Sequence, residues 1–150
     1  MKLNRVRNRI VLHHTGSPKD TTPDQVREWH MARNFPGGFG YHHYFYWVDG
    51  QITYYYGRPE AMAGVHCKGM NSHSIGFCIA GHYDHETLTE SEIDFITEKL
   101  AEIRYRNNIG SDMIDPHNKW RPTACPGQYL INNLQRLRDE STAKLPLKGH

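Results

Sequence analysis

Between Ser74 and Gly81 the chain leaves no polar side: Ile75, Phe77, Cys78 and Ile79 fall on both faces of an extended segment. A strand of that kind is covered above and below, so it belongs inside a layered sheet and not at a solvated edge. The apolar run Ile10-Val11-Leu12 reads as a second buried strand, ending at His13-His14 before the turn Thr15-Gly16-Ser17-Pro18. Tyr41 to Val48 and Gln51 to Tyr56 are β-prone runs joined by Asp49-Gly50, a strong hairpin signal. Met113-Ile114-Asp115 is read as a short last strand.

Helices alternate with these strands. Thr22, Pro23 and Gln25 form a capping box for a short helix, with Val26, Trp29 and Ala32 expected to face the core. Asn34 to Gly40 and Gly57 to Asn71 read as loops. Thr89 and Glu92 form a second box, Leu88 and Ile93 a hydrophobic staple, and Ile93, Ile96, Leu100 and Ile103 one amphipathic stripe. The pattern fades at Asn107-Asn108, with Gly110 expected as the stop. A final helix is expected to open at Pro126 with Leu130, Leu134 and Leu137 inward. The sum is an α/β fold with a mixed central sheet of about five strands flanked by helices. At 150 residues the chain has the size of one domain, read as 1–140 with a tail or linker remnant at 141–150.

Composition narrows the partners. No apolar run approaches the roughly 18 residues of a membrane span, so no membrane insertion is expected. The basic N-terminus lacks the apolar stretch of an export signal. A net charge of +2 is too mild to argue for nucleic acid. Three cysteines, Cys67, Cys78 and Cys125, do not form a disulfide framework. The unusual count is 11 histidines, including the doublets His13-His14 and His42-His43.

Chemistry concentrates in Pro116 to Gly127. Its three prolines argue for a stiff, non-helical loop. Cys125 is expected at the N-cap of the last helix, where dipole and free N–H groups favour the thiolate. His117 lies eight residues upstream, and a histidine from the end of the first strand completes a His, His, Cys set. Three protein ligands with an open fourth position are the arrangement of catalytic zinc. His13 and His14 point to opposite faces of their strand, and periodicity does not choose between them.

Four ordered blocks, residues 11–16, 40–43, 66–76 and 117–127, together resemble the type 2 N-acetylmuramoyl-L-alanine amidases. That family includes small phage lysozymes with amidase activity and the peptidoglycan recognition proteins; the resemblance covers about residues 9–138. It implies an amidase/peptidoglycan recognition protein-like fold, one Zn2+ per chain on His13, His117 and Cys125, and bacterial peptidoglycan as substrate. It implies that Tyr41 and Thr123 assist catalysis by stabilising the tetrahedral oxyanion. It implies that His66 and Asn71 border the substrate groove. Lys119 occupies a different position from the lysine of some phage members and inherits no role. For the proton shuttle Tyr41, Glu60 and a water stand open.

The expected reaction is hydrolysis of the amide between N-acetylmuramic acid and L-alanine, lysing the cell wall. The alternative is a recognition module that binds peptidoglycan without cutting it. A zinc protease or deaminase lacks support, since neither His-Glu-x-x-His nor Pro-Cys-x-x-Cys occurs. A monomer is expected, held in the host cytoplasm until lysis if a phage endolysin, or at the cell wall as part of a larger protein.

Overall fold

The computed structural model describes residues 7–146. The first six residues of the basic N-terminus and the last four of the expected tail lie outside the described residues. Five strands, β1 (Arg9–His14), β2 (His43–Val48), β3 (Gln51–Tyr56), β4 (Ser74–Ile79) and β5 (Ile114–Pro116), form one sheet in the order β3-β2-β4-β1-β5. β1 runs parallel to both β4 and β5, β2 runs parallel to β4, and only the β2–β3 hairpin is antiparallel. At its turn Asp49 and Gly50 take φ of 50° and 78°, the left-handed pair that a tight two-residue hairpin requires.

Among the described residues four α-helices cover the sheet: α1 (Pro23–Ala32), α2 (Glu90–Asn107), α3 (Gln128–Asn132) and α4 (Leu134–Ala143). Strand alternation divides the apolar residues between two cores. Ile10 and Leu12 of β1, Phe45 and Trp47 of β2, and Ile75, Phe77 and Ile79 of β4 pack against Ile93, Ile96, Leu100 and Ile103 of α2. On the other face Tyr44 and Cys78 meet Val26 of α1, with Phe39 and Ala80. β4 is buried at all six positions. The capping box of α2 is present in full, Thr89 Oγ1 accepting from Glu92 N at 3.2 Å and Glu92 Oε1 accepting from Thr89 N at 2.8 Å.

For the α-helices the structure departs from the sequence reading in four places. On α1 the buried residues are Pro23, Val26 and His30, while Trp29 is 42% exposed and Ala32 also faces solvent. The helix lies against the sheet along that 23–26–30 stripe, which turns position 29 outward. α2 ends at Asn107, with Asn108 supplying the left-handed cap (φ 54°) instead of Gly110. Pro126 does not open the last helix: Gly127 is the N-cap of α3, and α4 follows after Asn133. Finally, α4 continues through position 141, where a tail was expected. Ser141 is fully buried and accepts a 2.7 Å hydrogen bond from the buried Arg104 guanidinium, which ties α4 to α2.

Candidate metal centre

Register brings the first two donors together. β1 and β5 run parallel, with Leu12 opposite Pro116, so the residues that follow, His13 and His117, lie side by side where that pairing ends. Their ring centroids are 4.4 Å apart. The alternation that sends Ile10 and Leu12 toward α2 sends His13, with Val11, to the opposite face. His14 takes the other direction: its Nδ1 accepts from Tyr83 N at 3.1 Å. His117 opens a single 3-10 turn, His117–Lys119, where an entirely non-helical loop was expected; Pro116 sits at its N-cap position and so interrupts nothing.

Cys125 arrives on the loop before α3. Its Sγ accepts from His14 N at 3.3 Å and lies 3.7 Å from His13 Nδ1. The chain passes close to Tyr83 here: a Cβ on Gly127 (φ 93°) would fall 2.7 Å from the Tyr83 backbone. Cys125 therefore precedes the helix by more than the one position expected, and the dipole argument for a thiolate does not apply. Burial pushes its thiol up to about 12, against the smaller opposing effect of the His14 N–H.

One donor atom from each of His13, His117 and Cys125 lies within 4.8 Å of the others. His117 Nδ1 is buried and has no hydrogen-bond partner, a costly state for a ring nitrogen unless something binds it. Burial, then the neighbouring His66 and His117, holds His13 well below the usual imidazole range, and burial with Arg121 lowers His117. Neutral imidazoles are the ligating form. Two neutral imidazoles, one of them with an unpaired ring nitrogen, and a sulfur that a cation would deprotonate together fit a zinc ion.

The three donors sit in a cleft of about 690 Å³. Tyr41 lines it with its ring centroid 5.1 Å from that of His13. Burial, then the neighbouring Cys78 and Cys125, pushes the Tyr41 phenol well above its ordinary value, so it keeps its proton. Thr123 is exposed on the rim, and its Oγ1 accepts from Cys125 N at 3.2 Å, which leaves the hydroxyl proton free for the cleft. His66 and Asn71 also line the cleft, yet both side chains turn to the protein. Asn71 Oδ1 accepts from the backbone N–H of His66 and of Cys67, each at 2.8 Å. His66 Nδ1 pairs with His13 Nε2 at 2.9 Å. Glu60, a candidate proton shuttle from sequence, belongs elsewhere: its carboxylate is taken by His43, Arg106 and Asn107, away from the cleft lining.

Sequence reasoning missed the wall formed by the end of α1 and the following loop: His30, Arg33 and Phe35. His30 Nδ1 accepts from Gly40 N at 2.9 Å. Its spacing of four from Val26 was the signal that it faces inward. Arg33, Lys68 and Arg121 bring positive charge, and among the described residues no Asp or Glu lines the cleft.

Parallel β1 and β5, three converging donors and a basic cleft on one sheet face define a candidate metal centre. The chain belongs to the N-acetylmuramoyl-L-alanine amidase family, which it matches over residues 3–128. Among curated proteins it is 28% identical over 133 residues to peptidoglycan-recognition protein SC2 of Drosophila melanogaster, spanning 83% of this chain and 71% of that protein. It is 29% identical over 117 residues to the endolysin of Enterobacteria phage K11, spanning 75% of this chain and 74% of the endolysin. Among solved structures, the endolysin N-acetylmuramoyl-L-alanine amidase LysCS of Clostridium intestinale superposes with a TM-score of 0.74 at 28% identity, covering 97% of this chain and 88% of that one.

Proposed function

We propose that this chain is a zinc-dependent amidase that hydrolyses the bond between N-acetylmuramic acid and L-alanine in peptidoglycan, working as a monomer in the manner of an endolysin or autolysin catalytic domain. The observation that carries the reading is the convergence of His13, His117 and Cys125 within 4.8 Å, beside an otherwise unpaired His117 Nδ1. A zinc ion held by those three side chains supplies Lewis acidity, polarising the scissile carbonyl and acidifying water.

The remaining chemistry falls to the chain itself. Tyr41 keeps its phenolic proton and donates to the oxygen that gains charge as the carbonyl becomes tetrahedral. Thr123 donates its hydroxyl proton from the rim, its lone pair already anchored on Cys125 N. With Glu60 committed to His43 and Arg106, the proton released by the attacking water as its oxygen bonds the carbonyl carbon reaches the alanine nitrogen, as the carbon–nitrogen bond breaks, by way of a second water or of Tyr41, which takes up one proton as it gives up its own. Arg33, Lys68 and Arg121 draw anionic groups of the wall polymer to the cleft. A pure recognition module needs a groove, but it does not need three converging donors.

The test combines zinc analysis of the purified chain with mass spectrometry of digested murein. One zinc per chain and new L-alanine amino termini are expected. Binding to murein with no clearing and no new termini would replace the hydrolase with a recognition module.

A further inference from the structure

His66 is built into the protein with more care than a groove residue needs. A Cβ on Gly64 would lie 2.6 Å from its ring, and a Cβ on Gly76 would lie 2.8 Å from it. Two glycines thus leave a slot that an imidazole fills. Asn71 holds the backbone on either side of that slot through the N–H groups of His66 and Cys67.

From this slot runs a chain of hydrogen bonds with only one consistent direction. Ser74 Oγ, fully buried, lies 2.7 Å from the carbonyl oxygen of Met70. A carbonyl only accepts, so the single Ser74 hydroxyl proton is spent there. Toward His66 Nε2, 3.2 Å away, Ser74 can then only accept, which places the His66 proton on Nε2. A neutral imidazole with its proton on Nε2 carries a lone pair on Nδ1. Across 2.9 Å that lone pair must receive the Nε2–H of His13. His13 is left with its own lone pair on Nδ1, the nitrogen 3.7 Å from Cys125 Sγ.

We infer that His66 is a positioning residue for the metal centre: it fixes His13 in the Nε2–H tautomer, through Ser74 and the Met70 carbonyl, so that Nδ1 faces Cys125 and His117. Histidine ligands are commonly oriented by an acceptor on their second nitrogen. Here the acceptor is itself a histidine, and a backbone carbonyl two bonds further on sets its direction. The inference rests on the zinc reading for its purpose, although the tautomer is a property of the metal-free chain.

The experiment uses nitrogen-15-labelled histidine in zinc-free protein, with zinc affinity measured separately by competition with a chelator. In the native chain His13 is expected to carry its proton on Nε2 alone. His66→Leu is expected to leave both His13 tautomers populated and to weaken zinc binding by about 10–100-fold. His66→Asn keeps an acceptor near the Nδ1 position and is expected to restore affinity to within about threefold of native. Ser74→Ala cuts the far end with a smaller change in the core, and carries the test should His66→Leu not fold. It is expected to lose the single tautomer at His13 and part of the zinc affinity. A native His13 protonated on Nδ1 would overturn the inference, as would a folded Ser74→Ala chain with native tautomer and native affinity. A native chain that shows the Nε2–H tautomer yet takes up no zinc would leave the relay standing and remove the amidase reading instead.

Discussion

Cys125 Sγ stands 3.7 Å from His13 Nδ1, although 112 positions separate the two residues along the chain. No local interaction holds them there. β1 delivers His13, and the loop before α3 delivers Cys125, with the His14 N–H gripping the sulfur at 3.3 Å. Substituting Cys125→Ala removes one of three donors and little packing. The variant is expected to fold and to hold less than about a tenth of the native zinc. Its melting temperature should not respond to added zinc, whereas the native chain should be stabilised by it. Differential scanning calorimetry with and without zinc reads both, and full murein hydrolysis by this variant would end the metal hypothesis.

Tyr41 offers a proton that burial keeps in place. Tyr41→Phe preserves the ring beside His13 and deletes only the hydroxyl. A loss of about 10²–10³ in turnover is expected, with zinc content unchanged. Release of L-alanine amino termini from murein measures it, and turnover within about twofold of native would remove Tyr41 from the chemistry.

Glu60 clasps the loop after β3 to the end of α2. Its Oε1 accepts from Arg106 Nε at 3.1 Å and Asn107 Nδ2 at 3.0 Å, while Oε2 accepts from Arg106 Nη2 at 2.8 Å and pairs with His43 Nε2. These donors outweigh the cost of burial and hold the carboxyl well below the usual range. The clasp therefore contributes fully above the unfolded carboxylate value of about 4.3 and is lost as pH falls below it. Glu60→Leu should cost about 1–3 kcal/mol at pH 7, less than for a fully buried pair because Arg106 is half exposed. Urea unfolding at pH 7 and pH 3 should show the gap between variant and native closing in acid.

His42 makes the protein sensitive to mild acid. Its Nδ1 accepts from Gly76 N and its Nε2–H donates to Met62 O, each at 2.9 Å, and burial lowers its value from 6.5 to about 4. Between those values the unfolded chain takes up a proton that the folded chain refuses. Stability is therefore complete above about 6.5 and falls by on the order of 3 kcal/mol by pH 4 from this group alone. His42→Gln should lower stability at pH 7 but shallow the slope below 6.5 by about one proton. An unchanged slope would assign the acid response to other groups.

Much of the architecture was legible along the chain because it is written in local rules. Period-two and all-apolar runs gave the strands, Asp49-Gly50 gave the hairpin, and Thr89 with Glu92 gave the start of α2. The failures lie where a neighbour chooses between equal local options. Trp29 and His30 have similar claims to the buried face of α1, and the angle at which that helix meets the sheet decided for His30. Pro126 is a good first helical residue, but the close pass of Gly127 by Tyr83 set the start of α3.

Sequence by itself determined the α/β class and, through motif resemblance, which two histidines and which cysteine to suspect. It did so because strand patterns, caps and short motifs involve residues close together along the chain. Only the tertiary structure decided that His13, not His14, converges with His117 and Cys125 by geometry, since both Leu12 and Val11 are buried and alternation alone gives no preferred face. Only the tertiary structure gave His66 its partner, 53 positions away at the ring of His13. Hydrogen-bond direction between distant side chains depends on which acceptors surround them in space, and that arrangement exists once the sheet has set its register.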